Sequence, residues 1–123
     1  MSILITALMI LIGIEHLGIM VLEIWGRPEF QAQAFGMPLD FVRQAAAQTA
    51  LANQGIYNGM LGGTLIASQW LLNGPGRLTT SALLLIFVII VAIFGSLTVN
   101  RRIFWLQGVP SIVTLIVLLV TLA

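Results

Sequence analysis

The stretch "IGIEHLGIMVLEIW", Ile12 to Trp25, decides the fold class. Without Glu15, His16 and Glu23 it reads as plain lipid-soluble helix, and three ionisable groups in such a run need a reason. The whole chain shares its character: 59% of the 123 residues are hydrophobic, 7% are charged, and the mean hydropathy is +1.09. A soluble domain carries about 25% charged residues to face water. The composition therefore predicts a multi-pass protein of the cell membrane, folded as a single transmembrane domain over 1–123. A net charge of +1 gives no basic field for nucleic acid. Cysteine is absent, which excludes disulfides, thiolate metal sites and cysteine nucleophiles. The first segment lacks a basic leader, and Glu15 and His16 interrupt its apolar run. It reads as a retained helix rather than a cleaved signal.

A bilayer core of about 30 Å takes roughly 20 apolar residues in helix, and hydrocarbon offers no other partner for backbone polar groups. Four segments meet that need, at approximately 3–25, 39–72, 78–99 and 103–122. The predicted fold class is all-α, a transmembrane bundle of four antiparallel helices. The first connection, "GRPEFQAQAFGMPLDFVRQ", is the one long polar stretch. Gly26 and Pro28 stop the first helix, "QAQAF" suits a short interfacial helix, and Pro38 suits the start of the next. "NGPGR" at Asn73–Arg77 reads as a tight turn. Arg27, Arg43, Arg101 and Arg102 lie on the first and third connections, and Arg77 lies on the second. The positive-inside rule then puts both termini outside and the loops near 26–43 and 100–102 in the cytoplasm.

Successive helical residues advance about 100°, so Glu15, Glu23 and His16 share an arc of about 100° on the first helix. An ionised side chain at the bilayer centre costs about 2.5–3.5 kcal/mol on insertion scales, and such groups face a bundle interior or a wet cavity. Glu15, His16 and Glu23 are accordingly the candidate catalytic groups. A structural reading stands beside this: Glu15 and His16 as interhelical glue, and Glu23 near the headgroups as a partner of Arg27 or Arg43.

The second segment holds "NQGIYNGMLGG". Gly55, Gly59 and Gly63 recur every fourth residue, a stripe that admits a close neighbouring backbone. Asn53, Gln54, Tyr57 and Asn58 cover another arc and are candidate substrate-binding residues. Asn53 and Glu15 lie at matching depth, within reach of a direct hydrogen bond. Gln107 enters from the same side on the last helix, where Pro110 frees a carbonyl one turn earlier and favours a kink. The third segment, "ALLLIFVIIVAIF", is apolar all round and is expected to face lipid. The polar groups thus gather on the first, second and fourth segments. Trp25 and Trp105 suit an interfacial belt, and Arg101 and Arg102 suit topology signals. One histidine, no cysteine and no suitably spaced carboxylate argue against a metal site, and no cofactor motif is present.

"ANQGIYNGML" resembles the Asn-Gln-Gly-x-Tyr-Asn block of the family called domain of unknown function 1304, small membrane proteins with four transmembrane helices. "EHLGIMVLEIW" resembles its pattern of His followed by Glu-x-x-Trp, with Glu23-Ile24-Trp25 here in the last part. "IFGSLTVNRRIFWLQGVPSI" resembles its closing segment from Gly-x-x-Thr to Gln-Gly-x-Pro. The resemblance implies His16, Glu23, Asn53, Gln54, Tyr57, Asn58, Gln107 and Pro110 as motif positions, and it supplies no established activity. Glu15 is singled out by burial alone.

Three functions suit these residues. The first is binding of a lipid-like or small amphiphilic ligand, with proton-transfer isomerisation or epimerisation as the chemistry. The second is a small proton-coupled transporter, for which a homodimer through the Gly55/Gly59/Gly63 face is expected. The third is an accessory protein with a purely structural polar network. Membrane lipids are the expected surroundings in each.

Overall fold

The computed structural model describes residues 2–122, and these are helical with short connections. Helix α1 (Ile3–Trp25) starts where the Ser2 hydroxyl accepts from the Ile5 N–H at 3.3 Å. It stops at Gly26, and Pro28 opens α2 (Pro28–Phe35), where a missing N–H costs nothing. Helix α3 is one turn (Leu39–Val42). The continuous helix expected over 39–72 is broken at Arg43 and Gln44, and α4 runs from Ala45 to Leu71. Only Leu72 and Asn73 connect it to α5 (Gly74–Thr98), so most of "NGPGR" lies in the first turn of α5. After Asn100, whose side chain accepts from the Arg102 N–H at 3.0 Å, the last helical stretch begins.

That stretch opens with a π-helical turn at Phe104–Gly108 and continues as α6 (Val109–Leu122). The Val109 N–H reaches back to the Phe104 carbonyl. Pro110, with no N–H to give, leaves the normal ladder incomplete at this point. The expected irregularity before Pro110 is thus a widened turn.

Helix α1 packs along α4, α5 packs along the π turn and α6, and contacts of α1 with α6 and of α4 with α5 join the two pairs. The α1–α4 seam is close because it is lined by glycine. Ile24 meets Gly55, Met20 meets Gly59, and the backbones of Gly13 and Gly62 meet each other, so the two helices run in opposite directions. A Cβ on Gly62 would sit 2.6 Å from the Gly13 carbonyl oxygen. The expected stripe of Gly55, Gly59 and Gly63 is therefore a stripe of Gly55, Gly59 and Gly62. A Cβ on Gly63 would meet nothing within 4 Å.

Ile5, Met9 and Ile12 of α1, Leu65 of α4, Leu85 and Val88 of α5 and Leu118 of α6 form one buried apolar core. The outward surface is also apolar, with Leu11, Ile14, Phe94, Leu97 and Leu119 among the large exposed side chains. Helices α1 and α5 and the segment Phe104–Thr121 are long and apolar enough to cross a membrane. Helix α4 has the length, with 27 residues. Gln48, Asn53, Gln54, Asn58 and Gln69 keep it less apolar than the other three.

Candidate functional site

His16 is 2% exposed and sits in the glycine seam, where a Cβ on Gly62 would lie 3.2 Å from its own Cβ. Its Nδ1 is 2.8 Å from the Ile12 carbonyl oxygen. A carbonyl can only accept, so Nδ1 carries the proton of the neutral ring and Nε2 keeps a lone pair.

The imidazole lines a cavity of about 370 Å³. Helix α4 contributes Gln54, Tyr57, Asn58 and Leu61 to its wall, and α5 contributes Phe87, Val88 and Val91. The arrangement follows from helical spacing. Gln54, Tyr57, Asn58 and Leu61 recur at intervals of three or four and so share a face of α4, as Phe87, Val88 and Val91 do on α5. Tyr57 is 67% exposed and Phe87 is exposed as well, so the cavity opens sideways between α4 and α5.

Glu23 is 5% exposed and lies seven residues beyond His16. Its Oε2 accepts from Asn58 Nδ2 at 2.7 Å. This overturns the expected pairing with Arg27 or Arg43. Those arginines meet Glu29 instead, at 3.9 Å and 2.9 Å. With its NH₂ group turned to Glu23, Asn58 has its carbonyl oxygen left for the cavity.

The other candidates are placed apart from this wall. Glu15 lies about 160° around α1 from Gly13, which faces α4, so its side chain leaves on the opposite side. Its Oε1 is buried with no hydrogen-bond partner. Asn53 is exposed and does not bond Glu15. Gln107 is half-buried in the π turn and is not among the cavity residues. The expected gathering on α1, α4 and α6 is corrected to a site between α1, α4 and α5. The helix expected to face lipid supplies one wall.

Two polar groupings escape a reading of the sequence. Gln31 of α2 is fully buried and donates to the Leu22 and Glu23 carbonyls at 3.0 and 3.2 Å, satisfying the open end of α1. Gln48 of α4 donates to Gln31 Oε1 at 2.7 Å and to the Val42 carbonyl at 2.8 Å. Toward the other end, Gln69 donates to Ser68 and to Ser81 of α5 at 3.0 and 3.3 Å. A glutamine inside an apolar run was the available signal for Gln69. Gln31 and Gln48 lie in or beside the polar connection, where amides are ordinarily solvated.

The model of the family described as protein of unknown function (DUF1304) matches residues 10–119, which takes in His16, the α4 wall and the α5 wall. The chain belongs to the DUF1304 family. A curated relative, the uncharacterized protein YpaA of Lactococcus lactis subsp. lactis (strain IL1403), is 37% identical over 117 residues, covering 94% of this chain and 97% of that one. No solved structure matches the chain significantly. The family is described without an activity, so a functional reading of this DUF1304 member rests on its cavity.

Proposed function

We propose that this DUF1304 protein is an integral membrane protein that binds a lipid-like amphiphile in the His16 cavity, taken up sideways from the acyl layer between α4 and α5. In this reading α1, α4, α5 and the π turn with α6 all cross the bilayer as four antiparallel spans. Both termini lie outside, and the loops near 26–43 and 100–102 are cytoplasmic. The support is an inverted distribution of polarity. Large apolar side chains cover the outside, while His16, Glu23, Gln31, Gln69, Ser81 and Thr114 are buried. Water penalises such an exterior and hydrocarbon does not.

The observation that carries the ligand reading is a single basic ring nitrogen at the base of a laterally open, mainly apolar cavity. A lone pair on Nε2 and the Asn58 carbonyl accept hydrogen bonds, while Gln54 and the Tyr57 hydroxyl can donate or accept. Leu61, Phe87, Val88 and Val91 suit a hydrocarbon body. A hydroxyl-bearing amphiphile fits both parts. Binding is favoured over two-group proton transfer, because Glu15 points away and Glu23 is engaged by Asn58. It is favoured over a carrier, because the apolar core of Ile5, Met9, Leu65, Leu85 and Leu118 separates the cavity from the Gln69–Ser81 group among the described residues.

The test is organic extraction and mass spectrometry of the protein purified in mild detergent. The wild type is expected to retain one amphiphile near unit stoichiometry. Leu61→Trp, which fills the cavity, is expected to lose it while keeping helical circular dichroism. No retained amphiphile in the wild type, or equal retention in Leu61→Trp, overturns the reading.

A further inference from the structure

A second cavity, of about 270 Å³, lies at the opposite flank of α5, where that helix ends and the π turn begins. Ser96, Leu97, Arg101, Phe104 and Trp105 line it. Two features distinguish it from a bare interfacial belt. First, its charge is unbalanced. Among the described residues, no carboxylate lies within 4 Å of Arg101 or Arg102, whereas Arg27 and Arg43 both meet Glu29. The backbone N–H of Arg102 is already used by Asn100, so the guanidinium groups carry the attraction rather than the helix end. Second, its walls are apolar and uncovered: Leu97 is 80% exposed and Trp105 is 71% exposed. Trp105 is braced edge-on against Phe104, with ring centres 5.9 Å apart.

We propose that this cavity is a binding site for one anionic phospholipid, its phosphate held by Arg101 and its first acyl carbons laid against Leu97 and Trp105. Drug-sized ligands fill about 300–1,000 Å³, so the cavity suits a headgroup and glycerol rather than a whole lipid. Helix α5 and the segment Phe104–Thr121 are both long and apolar enough to cross a membrane, and their shared connection is the level at which headgroups lie. The assignment rests on the membrane-spanning reading of these two helices and is independent of the His16 cavity.

Native mass spectrometry of the full chain in detergent tests it, with dioleoylphosphatidylglycerol and dioleoylphosphatidylcholine added separately at equal concentration. The wild type is expected to hold phosphatidylglycerol about fivefold more than phosphatidylcholine, the size expected for one arginine facing an anionic headgroup. Arg101→Gln, an exposed substitution, is expected to abolish that preference. Arg77→Gln, on the other connection, is expected to keep it. Trp105→Ala is expected to weaken both lipids and leave their ratio intact. Excess inorganic phosphate is expected not to displace the lipid. Equal retention of the two lipids by the wild type overturns the proposal, as do an unchanged preference in Arg101→Gln and displacement by phosphate alone. Failure of the spanning reading is distinct: neither lipid would bind, and the chain would stay soluble without detergent.

Discussion

Asn58 and Glu23, 35 residues apart in the chain and on different helices, share a 2.7 Å hydrogen bond beside the His16 cavity. The bond joins the end of α1 to the middle of α4, where Ile24 and Glu23 lie against Gly55.

Glu23 is buried and Asn58 half-buried, so removing one leaves the other short of a partner. Glu23→Leu is expected to lower stability by about 1–3 kcal/mol, the usual cost of an unpaired buried polar group. Glu23→Gln keeps an acceptor oxygen and is expected to cost less. The double variant Glu23→Leu/Asn58→Leu is expected to recover part of the loss, since neither partner is then left alone. Thermal unfolding in detergent measures all three, and additive losses in the double variant would contradict the pairing.

The glycine seam makes a sharper contrast between adjacent residues. A Cβ at position 62 meets the Gly13 carbonyl, which is backbone and cannot swing aside. Gly62→Ala is therefore expected to cost about 1–3 kcal/mol by overpacking. Gly63→Ala has open space and is expected to change stability by less than about 0.5 kcal/mol. Similar unfolding midpoints for the two variants would refute this placement of the seam.

Glu29 gives a pH dependence with a defined sign. The hydrogen bond from Arg43 is the main reason its carboxyl is held below the ordinary value of 4.5. A depressed acid favours the folded contact above the ordinary value and loses that contribution as pH falls through the depressed one. Carbon-13 titration of the Glu29 carboxyl is expected to show the lowered midpoint, and Arg43→Gln is expected to raise it. The group is exposed, so salt is expected to weaken the effect.

The chain has no cysteine, so single introduced thiols report topology without background. Gln44→Cys and Asn73→Cys bracket α4. If α4 spans the bilayer, a membrane-impermeant maleimide added outside is expected to label position 73 and spare position 44 in intact cells. Labelling of both from the same side would place α4 along the surface and leave three spans.

The helices were legible because composition and local stops dictate them. Gly26 with Pro28 closes α1, the apolar runs set the long elements, and Pro110 announces an irregularity in the last one. The α1–α4 contact was half legible. A repeat of every fourth residue, Gly55–Gly59–Gly63, drifts about 40° per step around a helix, whereas spacings of four then three return to within about 20°. Two antiparallel helices in prolonged contact need the second pattern, which selects Gly62 over Gly63.

What the sequence by itself determined is an all-helical chain with long apolar runs compatible with membrane spans, interrupted by His16, Glu23 and the α4 amides. Which groups meet was decided only by the tertiary structure. Helical spacing places residues around one axis and says nothing of which neighbour occupies each side. Glu15 shares an arc with His16 on paper, yet the Gly13–Gly62 crossing turns His16 toward α4 and α5 and turns Glu15 away. Helix α5, whose stretch from Ala82 to Phe94 is apolar all round, then becomes a wall of the cavity, because packing places it there.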